Sequence, residues 1–90
     1  MPYRIVITKS AVKELDGLST KIHEKIIDHL HQLEENPRVF GSEKLTAINA
    51  YKLRVGNYRI VYEINDADNL VKIVMVEDRK QVYQRLRRRK

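Results

Sequence analysis

Ninety residues, 42% of them hydrophobic and 33% charged, make one small domain spanning residues 1–90 with no room for a second core. The lack of Cys excludes a disulfide scaffold, a thiolate nucleophile and a Cys-ligated zinc site; the opening Met1-Pro2-Tyr3-Arg4 lacks a signal peptide's apolar run, and no stretch approaches the ~18 apolar residues of a membrane span, so the chain reads as cytoplasmic with no membrane partner. The net charge of +6 is concentrated at one end: Arg79 to Lys90 hold seven basic residues and no acidic one, while the other 78 residues hold the remaining 11 basic against all 12 acidic.

Tyr3 to Thr8, rich in β-branched and aromatic types, predicts a first strand, with Thr8 or Ser10 available to cap a helix after it. Ala11, Val12, Leu15 and Leu18 are spaced as one face of a short helix that Gly17 ends or bends. From Ser19 to about Glu35, Ile22, Ile26, Ile27, Leu30 and Leu33 form one stripe of an amphipathic helix, which Asn36-Pro37 stops because the residue before proline is pushed out of the α region. Arg38 to Asn49 reads as a connecting loop. The period then changes to two: Ala50 to Val55 and Tyr58 to Asn65 are strands joined by Gly56-Asn57, a two-residue link suited to a tight hairpin. After the turn Asp66-Ala67-Asp68-Asn69, the run Leu70 to Val76 is apolar on both alternating faces and is expected to be central and buried. A last helix is expected from about Arg79, with Val82, Tyr83 and Leu86 on one side. The order β-α-α-β-β-β-α is an α+β arrangement, a mostly antiparallel sheet with the two N-terminal helices packed on one face and the other face free.

A two-residue loop at Gly56-Asn57 pairs Val55 with Tyr58, Arg54 with Arg59, Leu53 with Ile60, Lys52 with Val61 and Tyr51 with Tyr62. Tyr51, Leu53, Val55, Tyr58, Ile60 and Tyr62 then share the core face. Lys52, Arg54, Arg59 and Val61 share the other, with Glu63 further out. Like charges directly opposite on a sheet destabilise it, and local costs of this kind concentrate at functional sites. An anion between them would convert repulsion into charge-assisted bonding, and the forked guanidinium donors match phosphate oxygens. Read blandly, the same residues are a solvated face with side chains splayed into water. The basic end from Arg79 has the same two readings, a solubilising terminus or the electrostatic footprint of a polyanion site. Tyr83 either stacks on an extruded base or packs in the core. His23, His29 and His31 on the long helix are not related by three or four residues, so no metal site is expected and no cofactor is implied. Asp66 and Asp68 read as turn residues.

The run Tyr51-Lys52-Leu53-Arg54-Val55-Gly56-Asn57-Tyr58-Arg59-Ile60-Val61-Tyr62-Glu63, the opening Tyr3-Arg4-Ile5-Val6, Asn36-Pro37 after a long helix and the closing Arg79-Lys80-Gln81-Val82-Tyr83 resemble the RelE/ParE toxin superfamily, in particular its RelE branch. The resemblance implies a RelE-like microbial RNase-type fold and the toxin of a type II toxin-antitoxin system: a ribosome-dependent endoribonuclease that cleaves mRNA in the A site, inhibits translation and is silenced by a RelB-like antitoxin. Carried over by position, it implies catalytic roles for Lys52, Arg54, Arg59, Arg79 and Tyr83. Glu77-Asp78 before Arg79 departs from the family's basic step there, and Arg54, always protonated, is a poor proton acceptor. The chemistry implied is metal-independent attack of a 2′-OH on the adjacent phosphate. Lys52 is the expected base, Arg54 and Arg59 stabilise the developing charge, and Arg79 acts as acid or phosphate ligand. Arg85, Arg87, Arg88, Arg89 and Lys90 are expected to bind RNA or the ribosome. A ParE-like, non-enzymatic inhibitor of DNA gyrase on the same fold is the alternative.

Overall fold

The computed structural model describes residues 2–45 and 50–78, so the expected last helix, with Arg79, Tyr83 and the basic end, lies outside the described residues. Strand β1 (Arg4–Ile7) leads into α1 (Lys9–Asp16) through Thr8, whose hydroxyl accepts from the Ala11 amide at 3.3 Å; α2 (Thr20–Glu35) is started the same way by Ser19. Each cap satisfies one of the amide donors a helix start leaves open. The stripe on α2 buries Ile26, Leu30 and Leu33, and α1 adds Ala11 and Leu15. They pack on Leu53, Val55, Ile60, Tyr62, Ile64, Val71, Ile73 and Val76 from one face of the sheet. Burial of each large aliphatic side chain contributes about 1.5–3 kcal/mol, which makes this layer contact the main source of stability.

The sheet has five strands in the order β1-β5-β4-β3-β2, where β2 is Glu43–Lys44, β3 Ala50–Val55, β4 Tyr58–Asn65 and β5 Leu70–Asp78. Only β1 and β5 pair in parallel; the other ladders are antiparallel. The β3–β4 register matches the expected pairing at every position from Tyr51↔Tyr62 to Val55↔Tyr58. Gly56 takes φ 60 at the first loop position while Asn57 stays at negative φ, the pattern of a type II′ turn.

Three expectations are corrected. The segment Arg38 to Asn49 is not all loop, because Glu43 and Lys44 pair with Lys52 and Tyr51. The strand expected to end at Val76 continues to Asp78. It lies inside the sheet, but it is not buried on both faces: Lys72 and Met75 are exposed, whereas Val71, Ile73 and Val76 are buried. The cause is a bulge. Val61 pairs with Met75 and Tyr62 with Ile73, so Val74 is an extra residue that shifts the alternation and lets both Ile73 and Val76 face the core.

One polar cluster ties the ends of the fold together. Arg38 donates to both carboxylate oxygens of Asp66, at 3.1 and 2.8 Å, and its Nε donates to the Tyr51 hydroxyl at 3.1 Å. The Tyr3 hydroxyl donates to the same carboxylate at 2.7 Å. Asp66 is therefore more than a turn residue: it joins the segment before β1, the exit from α2 and the β4–β5 turn. Beneath it the Tyr51 and Tyr62 rings stack at 5.9 Å, and the fully buried Tyr62 hydroxyl donates to the Pro37 carbonyl at 2.7 Å.

Candidate active site

Lys52, Arg54 and Arg59 converge as expected on the outer face of the β3–β4 hairpin, away from the helices. Arg54 and Arg59 are direct cross-strand partners, and Lys52 lies two residues along β3 from Arg54. With Glu43, Asn57, Tyr58 and the backbone of Gly41 they line an open cavity of about 220 Å³. That is smaller than the 300–1,000 Å³ of pockets that enclose whole small molecules, and suits a piece of a larger substrate. Arg54 turns its Nε onto the Gly56 carbonyl at 3.2 Å, which anchors the guanidinium to its own hairpin and leaves its other donors for a ligand.

The charge balance is more nearly even than the strands alone imply. The Lys52 ammonium is 3.4 Å from a carboxylate oxygen of Glu43, its partner across β2–β3. On the other side of the hairpin, Glu77 stands opposite Arg59. A carboxylate thus borders the three cations at each side, and the Arg54–Arg59 pair is a like-charge step inside an alternating ladder. Glu63, further out on β4, stands across from Lys72, in a second depression with Asn65 and Leu70.

Sequence reasoning missed Glu43 and the position of Glu77. A two-residue strand carries no periodic signal, and the bulge at Val74 hides the register of Glu77. It missed Arg38 as well. The paired Arg38 holds the Asp66 carboxyl down to about 2, with the Tyr3 hydrogen bond adding to the effect, while Asp66 in return pushes the Tyr3 phenol up. Burial is the main cause that pushes the Tyr62 phenol up.

The three His lie on α2, across the sheet from the cavity. His29 Nδ1 is 2.8 Å from the Lys25 carbonyl, and His31 Nδ1 is 3.1 Å from Glu34. Among the described residues no three metal-ligating side chains come together, and no helix is long and apolar enough to cross a membrane. The expected sites Arg79, Tyr83, Arg85, Arg87, Arg88, Arg89 and Lys90 lie outside the described residues. β5 ends at Asp78, whose cross-strand partner Tyr58 lines the cavity.

Residues 5–83 match the family described as the ParE toxin of type II toxin-antitoxin systems, parDE. The chain belongs to this toxin family. Several of its curated relatives carry RelE names. The toxin is 30% identical to "Toxin RelE" of Mycobacterium tuberculosis over 84 residues, covering 91% of the chain and 87% of the relative. It is 29% identical to "mRNA interferase toxin RelE" of Escherichia coli over 87 residues, 92% of each. Its fold is similar to that of the toxin in the archaeal RelE–RelB complex of Pyrococcus horikoshii, with a TM-score of 0.78 and 30% identity over 88% of this chain and 97% of that one. The mixed α+β fold and the role of type II toxin expected from the sequence therefore hold.

Proposed function

We propose that this toxin is an endoribonuclease that cleaves mRNA in the ribosomal A site and is neutralised by a RelB-like antitoxin. The observation that carries the reading is the convergence of Lys52, Arg54 and Arg59 on one cavity of phosphodiester size. The mRNA interferase name of the E. coli relative and the RelB partner of the archaeal one support it. Cytoplasmic location follows from that substrate.

The reaction requires no metal. The 2′-oxygen bonds to the adjacent phosphorus as its proton leaves, the phosphorus to 5′-oxygen bond breaks, and that oxygen takes up a proton. The products are a 2′,3′-cyclic phosphate and a 5′-hydroxyl. Arg54 and Arg59 hold the phosphate oxygens and stabilise the charge that grows on them. An ionised carboxylate only accepts hydrogen bonds, so Glu43 is the lining group suited to take the 2′-proton, with Lys52 beside it as the cation that orients it and contacts the phosphate. This divides the part first assigned to Lys52 alone. Arg79 serves as acid or phosphate ligand, Tyr83 stacks on a base, and Arg85, Arg87, Arg88, Arg89 and Lys90 add backbone affinity. The ribosome holds the mRNA in line, which removes the need for a deep RNA cleft on so small a chain.

Primer extension on a translated mRNA with the toxin added tests this: cuts that require both toxin and ribosome are expected, and an intact transcript would refute the reading. The name of the matching family favours a second reading, inhibition of DNA gyrase. A supercoiling assay decides it, since a ribonuclease of this type leaves gyrase untouched.

A further inference from the structure

Among the described aromatic side chains the most apolar is also the most exposed. Phe40, the only Phe in the chain, has a relative exposure of 105%, whereas Tyr51 and Tyr62 are buried and Tyr3 and Tyr58 are half-buried. Isolated exposed apolar residues are ordinary on a protein surface. Phe40 differs in how it is mounted. It is the first central residue of the turn Val39–Ser42, closed by a 3.0 Å hydrogen bond from the Ser42 amide to the Val39 carbonyl. Gly41 holds the second central position at φ 94, as a type II turn demands.

The base of the turn is fixed on every side. Val39 packs against the core, Arg38 is clamped on Asp66 and Tyr51, and a Cβ on Gly41 would touch the Leu53 side chain at 3.9 Å. Gly41 itself lines the cationic cavity. The ring is thus held in water one residue from the phosphate-sized site. Among the described residues, a protein partner that needed an apolar anchor here would find no patch around it. The sequence neighbours Arg38, Ser42 and Glu43 are polar, and the other exposed large apolar side chains among the described residues are Val6 on β1, Val12 on α1 and Met75 on β5. β1 and β5 lie toward the opposite edge of the sheet from β2, which comes directly after the turn.

We propose that Phe40 is a stacking shelf for the base of an mRNA nucleotide next to the phosphodiester held by Lys52, Arg54 and Arg59. Single-stranded nucleic acid is bound in this way elsewhere, with cations tracking the backbone and an open aromatic face under a base. The shelf rests on the RNA-cleaving reading above. It comes from the turn before β2, whose next residue, Gly41, lines the cavity.

The test is cleavage of a 5′-labelled mRNA on programmed ribosomes by the parent toxin and by Phe40→Ala, Phe40→Leu and Phe40→Tyr, each checked for an unchanged melting curve. Phe40→Ala and Phe40→Leu are expected to raise the half-saturating toxin concentration about 5- to 150-fold, and Phe40→Tyr to restore it to within about twofold of the parent. The dependence of that concentration on salt keeps its slope in all three, because no phosphate contact is lost. A Phe40→Leu variant that matches the parent would show a merely apolar contact and overturn the shelf. So would a Phe40→Ala variant that cleaves like the parent, including one that has lost only its capture by a RelB-like antitoxin. A parent that leaves the mRNA intact on ribosomes overturns the functional reading itself, which keeps the two failures apart.

Discussion

The Lys52 ammonium lies 3.4 Å from the carboxylate of Glu43, its partner on the neighbouring edge strand. If the pair works as one unit, with the carboxylate taking the proton and the ammonium placing it, removing either half removes the function of both. Glu43→Gln is expected to lower the cleavage rate on saturating ribosomes by about 10²- to 10⁴-fold, the usual share of a general base. Lys52→Ala should lower it comparably, and the double variant should fall no further than the worse single one. Single-turnover cleavage of the three variants measures this; multiplicative losses would show that the two groups act separately.

Arg59→Ala should abolish cleavage and growth arrest with little change in stability. Relief from Arg54 alone would predict a more stable fold. The position of Glu77 opposite Arg59 cancels that gain, so the change in unfolding free energy is expected within about 0.5 kcal/mol of zero. Denaturant titration beside a growth assay reads both quantities.

Asp66 predicts an acid limit. Its carboxyl is held down to about 2 in the folded chain by Arg38 and Tyr3, against about 3.9 for a free aspartate in the unfolded chain. The unfolded chain therefore binds the proton first as pH falls. The stabilisation is fully present above about pH 4 and is lost progressively as pH falls toward 2. Thermal midpoints recorded between pH 2 and 5 should show this slope in the parent and a shallower one in Asp66→Asn.

The hairpin that aligns Arg54 with Arg59 depends on Gly56 at φ 60. Its Cβ position is open, so Gly56→Ala meets no clash and the cost is the left-handed backbone alone, about 1–2 kcal/mol. Gly56→Asn should lose less, since asparagine tolerates that region better. Urea unfolding of the two variants gives the comparison.

Deletion of Arg87 to Lys90 removes four positive charges. Ribosome affinity should weaken, and the slope of its logarithm against log salt should flatten by about three to four phosphate equivalents. Cleavage on saturated ribosomes should change far less, because Lys52, Arg54 and Arg59 remain. Identical slopes would reduce the basic end to a solubilising tail.

The elements that were legible in the sequence are those with a repeat or a stop signal. The α2 stripe from Ile22 to Leu33, Pro37 after it, and the alternation on each side of Gly56-Asn57 identified one helix, its end and the hairpin register, and with them the shared face of Lys52, Arg54 and Arg59. Glu43 was illegible because pairing of two residues leaves no pattern. The path of β5 was misread because Val74 breaks the alternation once, turning a half-exposed strand into an apparently buried one. The Arg38 clasp escaped because its partners Tyr51 and Asp66 are 13 and 28 residues away, a separation at which composition is silent.

The parallel pairing of β1 with β5 also has a consequence for how the toxin comes into being. Arg4 to Ile7 find their partners only at Leu70 to Ile73, more than sixty residues further along the chain. The sheet is therefore closed by the first and last of its described strands, and this long-range step slows completion of the fold. Until then α1 lacks β5, the strand whose Val76 amide donates to Glu14 at 3.3 Å. The cationic β3–β4 hairpin, whose strands are joined by two residues, can therefore form before the layer beneath it is finished.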